Sequence, residues 1–284
     1  METIPAKWRG PVSGLLQAGY PSGYLLASVM YWIAYPHVGW RGLFMLGALP
    51  ALLVLYIRRA MPESPDWQAR ASTGAHRTPV WDVVRRNAGL TVYAVLMMTA
   101  FNFFSHGTQD LYPTFLKVQH KLDVTEISII AIVYNIGAML GGLVFGTLSQ
   151  RFGRRRAIVV AALLALPAIP LWAFSSTPVM LGVGAFLMQV CVQGAWGVIP
   201  AHLNEISPPE IRGTFPGVTY QLGNLLAAAN ATIQSSIAVR MGGNYSWALA
   251  GVAGIVAVAI ALLVGFGREA RDVRMGAPVP VGAD

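Results

Sequence analysis

Residues 102–114 read NFFSHGTQDLYPT, and six of the nine residues from Asn102 to Asp110 ionise or form hydrogen bonds through their side chains. They are Asn102, Ser105, His106, Thr108, Gln109 and Asp110. The chemistry open to this set is proton handling and anion binding. Imidazole changes charge near neutral pH, a carboxylate four residues further on can share its proton, and amides and hydroxyls donate to an anion. The spacing gives the set a common face, because residues three and four apart are neighbours on a helix. Asn102, His106, Asp110 and Thr114 step by four, and Ser105 and Gln109 fill the adjacent row. Phe101, Phe103, Phe104, Leu111 and Tyr112 fall largely off that stripe. Gly107 and Pro113 weaken the helix locally and free backbone carbonyls beside it.

The element that must carry this stripe is apolar. GLTVYAVLMMTAF, residues 89–101, holds nothing ionisable, and Phe115 and Leu116 resume the apolar character. The whole chain is 55% hydrophobic and 11% charged, where a soluble domain carries about a quarter charged residues. Eight stretches are long enough to cross a bilayer, which takes roughly 20 apolar residues. They lie near 12–35, 38–58, 88–114, 127–149, 157–175, 178–200, 214–238 and 246–267. A carboxylate inside such a span costs about 2.5–3.5 kcal/mol on insertion scales, so it needs a partner or a role. The alternative is that His106 and Asp110 lie at the headgroups, since Lys117, His120, Lys121 and Asp123 follow closely.

The net charge of +8 is distributed as in a membrane protein. With both termini inside, the inner loops hold Lys7, Arg9, Arg58, Arg59, Arg70, Arg77, Arg85, Arg86, Arg151, Arg154, Arg155, Arg156, Arg212, Arg268, Arg271 and Arg274. Only Arg41, Lys117, Lys121 and Arg240 fall outside. Sixteen against four is the positive-inside bias. It predicts a multi-pass protein of the plasma membrane, or of the inner membrane in a bacterium, with cytoplasmic termini. No basic face remains for nucleic acid. Cys191 is the one cysteine, so neither a disulfide nor a cysteine-based metal site forms within one chain. His106 and Asp110 lack a third ligand for a metal, and no nucleophile–base arrangement points to an enzyme. No cofactor is expected.

Internal repetition explains how the spans are organised. Glu2, Pro5, Arg9, Gly10 and Gly14 form E-x-x-P-x-x-x-R-G-x-x-x-G, and Glu205, Pro208, Arg212, Gly213 and Gly217 repeat it 203 residues later. Repeats on this scale mark transporters. Two spans follow each copy. Residues 1–58 therefore read as the last two spans of an incomplete N-terminal half, with about four spans expected upstream. Residues 59–87 read as a cytoplasmic linker, 88–267 as a six-span C-terminal half, and 268–284 as a tail. Between spans, GTLSQRFGRRR (Gly146, Arg151, Gly153, Arg154, Arg155 and Arg156 among it) reads as a tight basic loop. It anchors two helices and can pin them in one conformation. Glu205 with Arg212, and Glu2 with Arg9, read either as exposed pairs worth about 0–1 kcal/mol or as a latch between halves.

These motifs resemble the major facilitator superfamily. GTLSQRFGRRR is similar to its loop G-x-L-x-D-R-x-G-R-R, with Gln150 in place of the acidic residue. The two E-x-x-P-x-x-x-R-G copies and PESPDW at 62–67 resemble its fourth-to-fifth and sixth span regions. The resemblance implies an all-α helical bundle of eight transmembrane helices, two from the first half and six from the second. Within that superfamily, Asn102, Ser105, His106, Thr108, Gln109, Asp110 and Thr114 match all seven fixed places of N-x-x-[ST]-H-x-[ST]-Q-D-x-x-x-T. This is the signature of lactate/pyruvate permeases related to the sialate:proton symporters. Gln221 and Asn224 match their Q-x-x-N pair. The resemblance implies proton-coupled uptake of a small monocarboxylate, with the anion held by these nine residues and the proton by His106 and Asp110. Sialic acid, an aromatic acid or a sugar is the alternative cargo, and a non-transporting remnant the alternative fate of a chain lacking its first spans.

Overall fold

The computed structural model describes residues 4–51, 54, 56, 59, 80–267 and 269. Among these the regular structure is helical. In chain order the helices are α1 (Arg9–Gly47), α2 (Val80–Arg86), α3 (Ala88–Gln109), α4 (Tyr112–Val118), α5 (Val124–Phe152), α6 (Arg154–Phe174), α7 (Pro178–Ile206), α8 (Phe215–Ala227), α9 (Asn230–Arg240) and α10 (Tyr245–Gly265). Five segments among the described residues have the length and hydropathy to cross a membrane: Ala88–Val118, Val124–Phe152, Arg154–Phe174, Pro178–Ile206 and Tyr245–Gly265.

α5 runs from Asp123 to Phe152 and the chain turns back into α6 at Gly153, so the bundle has a basic end, at Arg154, and a far end, at Asp123. Helices starting at the far end carry side-chain caps, which satisfy the otherwise unpaired first-turn N–H groups. Asp123 and Glu126 cap each other's backbone N–H at 2.7 and 3.1 Å. Thr177 caps α7 and Asn244 caps α10. Apolar residues also cover the outside. Ile129, Ile136, Leu140 and Val144 on α5, and Ile255, Val258 and Leu262 on α10, are exposed. Water would oppose such faces and lipid matches them.

α7 lies at the centre, packed on α1, α5 and α6, while α3 packs on α8 and α10. Contact between α1, α5 and α7 is close because the facing residues are small. A Cβ on Gly14 would meet the Gly142 carbonyl oxygen at 2.4 Å, and one on Gly197 would meet the same oxygen at 2.4 Å. Ser13 fixes the depth of α1 by accepting from the Ala201 N–H at 3.0 Å.

Four of the expected spans differ in detail. The joint between the first two falls at Gly39 (φ 63°), about two residues past the expected boundary and without a break in the hydrogen-bonded run of α1. The span expected at 88–114 bends after Asp110 and continues as α4. Pro113 lacks an N–H and its ring crowds the carbonyl four residues back, at Gln109. The span expected at 214–238 is two helices meeting at Ala228 and Ala229. Within the expected linker, Val80–Arg86 is helical. Glu2, PESPDW and most of the tail lie outside the described residues.

Candidate functional site

The bend after Asp110 places the polar stripe at the far end of α3, among buried aromatic residues. His106 Nδ1 lies 3.2 Å from an Asp110 carboxylate oxygen, and the two side chains keep 30% and 40% of their accessible surface. Asn224 on α8 lies close enough to His106 for the two side chains to influence each other. Gly223 makes that approach possible, since a Cβ there would meet the Met98 backbone at 2.7 Å. Tyr20 and Tyr24 pack ring to ring at 4.9 Å. An ionisable pair on α3 therefore has an amide from α8 beside it, while Tyr20 and Tyr24 stand on α1.

The rest of the stripe has other partners. Gln109 donates to Gln189 Oε1 at 2.9 Å, and Gln189 donates to Thr108 Oγ1 at 3.2 Å. Gln193 donates to Ser105 Oγ at 3.4 Å. Asn102 is buried and donates to the Met98 carbonyl of its own helix at 2.9 Å. The structure thus divides the expected set: His106, Asp110 and Asn224 converge, while Ser105, Thr108 and Gln109 join α3 to α7. Thr114 is half-buried on α4, beyond the bend, and Gln221 is exposed one turn before Asn224. Gln234 on α9 donates to the Gly107 carbonyl at 2.8 Å. Gln189, Gln193 and Gln234 were missed in the sequence reading. The signal was present for the first two, a four-residue step of amides inside an otherwise apolar span.

At the basic end, α5 turns into α6 through Gly153, whose φ of 94° suits glycine. Arg154 is fully buried. It binds both Glu205 oxygens at 2.9 and 3.0 Å, Ser149 Oγ at 2.8 Å and Gln150 Oε1 at 3.0 Å. Gln150 Oε1 also accepts from the Gly10 N–H of α1 at 3.1 Å. Arg155 donates to the Val264 and Gly265 carbonyls at the end of α10, and Glu269 accepts from the Arg154 and Arg155 N–H groups that begin α6. Arg151 and Arg156 are exposed. The expected pairing of Glu205 with Arg212 is corrected: Glu205 is taken by Arg154, in a pair 0% and 1% exposed. Arg212 instead donates to the Ser207 carbonyl at 3.3 Å, and Arg9 to the Ile4 carbonyl at 3.3 Å. Both arginines turn back onto the carbonyl five residues earlier, so the sequence repeat is a repeated local structure.

The Major Facilitator Superfamily model matches residues 111–279, more than half of the chain, and the chain belongs to that superfamily. A second model, sugar (and other) transporter, matches residues 1–79. The chain is 30% identical to a carboxylic acid transporter protein homolog of Saccharomyces cerevisiae, over 84% of this chain and 43% of that protein. It is 27% identical to a cis,cis-muconate transport protein of Acinetobacter baylyi, over 82% of this chain and 58% of that one. It is 25% identical to the sialic acid transporter NanX of Escherichia coli, over 94% and 65% respectively. The chain spans about half the length of these relatives.

Proposed function

We propose that this protein belongs to a proton-coupled transporter of a small monocarboxylate, lactate or pyruvate, in the plasma membrane with both termini cytoplasmic. The observation that carries the reading is the part-exposed His106–Asp110 pair at 3.2 Å, set among membrane-spanning helices with Asn224 beside it. In this mechanism the pair holds the coupled proton. Protonated His106 attracts the substrate carboxylate, the Asn224 amide donates to it, and Asp110 orients the imidazole. Release of the anion leaves the pair free to lose its proton. A relative named for carboxylic acid transport supports the substrate class. Alternating access rocks two bundles about a central site, so the transport step is assigned to this chain together with a complementary set of spans.

Binding tests the reading without requiring that step. The enthalpy of lactate binding to the purified chain, measured in buffers of different ionisation enthalpy, counts the protons taken up. About one proton per lactate is expected, with affinity falling by up to about tenfold per pH unit once the free pair has lost its proton. In Asp110→Asn, proton uptake disappears and lactate binds more weakly. Unchanged proton uptake in that variant sinks the coupling scheme. The similarity to NanX favours sialic acid as the second reading, and competition of sialic acid against labelled lactate separates the two.

A further inference from the structure

Beside Ser105, and beside Phe101 toward the basic end, two side chains of α7 each bury a polar atom without a partner. The indole Nε1–H of Trp196 and one end of the Gln193 amide are shielded from solvent and meet no hydrogen-bonding group. Trp196 is 6% exposed and Gln193 1%. Gln193 uses its other amide end on Ser105 Oγ. Turning the amide over only exchanges which end is unpaired, because Ser105 can donate or accept. Buried polar groups are paired in the great majority of cases, and leaving one unmade costs about 1–3 kcal/mol.

We propose that Trp196 and Gln193 form a second substrate subsite, which takes the hydroxyl of a hydroxycarboxylate whose carboxylate sits at His106 and Asn224. The subsite rests on the carboxylate reading above and narrows its substrate class. Position supports it. The Trp196 ring stands edge-on to Phe101 at 5.3 Å and to Tyr220 at 5.9 Å. Phe101 and Tyr220 lie five and four residues before His106 and Asn224, about one turn or 6 Å along their helices. Two hydrogen bonds of about 2.9 Å with a short ligand between them span that offset. A hydroxyl suits both groups at once, accepting from the indole N–H and donating to the Gln193 carbonyl. Pro200 also leaves the Trp196 carbonyl without its usual helical donor four residues on.

The test compares lactate with propionate, which lacks only the hydroxyl, by equilibrium binding to the purified chain. In the unsubstituted protein, lactate binds at least about tenfold more tightly. Trp196→Phe keeps a ring against Phe101 and Tyr220 but removes the N–H. It weakens lactate binding about tenfold, the worth of one such bond, and leaves propionate binding unchanged. Gln193→Met behaves likewise to a smaller degree. Equal affinities for the two acids in the unsubstituted protein overturn the subsite, as do equal losses for both acids in Trp196→Phe. Either outcome assigns the two unpaired groups to water or to packing, and leaves carboxylate binding at His106 intact. Failure to bind either acid overturns the carboxylate reading itself, and the subsite with it.

Discussion

The two copies of E-x-x-P-x-x-x-R-G-x-x-x-G share a sequence and a turn but not an environment. In both, the arginine folds back on the carbonyl five residues earlier. The glycines then part company. Gly10 and Gly14 of α1 press on α5, where a Cβ would meet the Gly146 and Gly142 carbonyl oxygens at 2.6 and 2.4 Å. Gly213 and Gly217, at the start of α8, have nothing within 4 Å of an added Cβ. A repeated motif therefore specifies how the chain enters a helix, while the neighbour it meets decides whether its glycines are needed. The second copy also contributes Glu205 to the buried Arg154 pair, a role that belongs to α7 and the basic loop.

The largest effect that bears on this contrast is at Glu205. Glu205→Gln keeps the shape but leaves the Arg154 charge buried against a neutral group, and breaking such a pair costs about 3–5 kcal/mol. Denaturation of the purified chain in detergent measures it. A loss below about 1 kcal/mol shows that water reaches the pair. Next comes Gly14→Leu, which forces α1 away from α5. With Cys191 replaced by alanine, cysteines at positions 22 and 139, where Ser22 Oγ lies 3.8 Å from Met139 Sδ, cross-link rapidly through a short thiol reagent. Adding Gly14→Leu slows that reaction severalfold, and an unchanged rate removes the seam from the account.

The matching change in the second copy, Gly217→Ala, is smaller and opposite in sign. Alanine suits a helix better than glycine by up to about 1 kcal/mol, so the purified chain keeps or gains stability. A clear loss reveals a helix packed against the face of α8 that carries Gly217. Smallest is Gln189→Leu, which removes the bonds to Gln109 and Thr108. Each such bond in a membrane is worth about 0.6 kcal/mol, read as a modest drop in unfolding midpoint.

How much of this was legible in the sequence follows from which interactions are local. Hydrophobic runs located the spans, and four-residue spacing brought His106 to Asp110. The bend after Asp110 was signalled by Pro113, but spacing alone carried Thr114 onto the same stripe. The break between α8 and α9 has no proline, and the run AAAN gives little warning of it. Glu205 and Arg154 are 51 residues apart, so no helical spacing could pair them, whereas Arg212 lay temptingly near. The amides of α7 had the right period but were hidden in a segment read only for its apolarity. Packing across helices, unlike spacing along one, is set by which faces meet.

Gln150 has a consequence for how the basic end responds to electrical forces. It is the hydrogen-bonding bridge between the start of α1 and the Arg154 cluster, and it is neutral at every pH. A charge moved through the full membrane field gains or loses about 2.3 kcal/mol per 100 mV. An amide carried through the same displacement contributes nothing of that kind. Parting α1 from this residue therefore displaces no gating charge at position 150, and any voltage sensitivity of that step falls to the arginines around it.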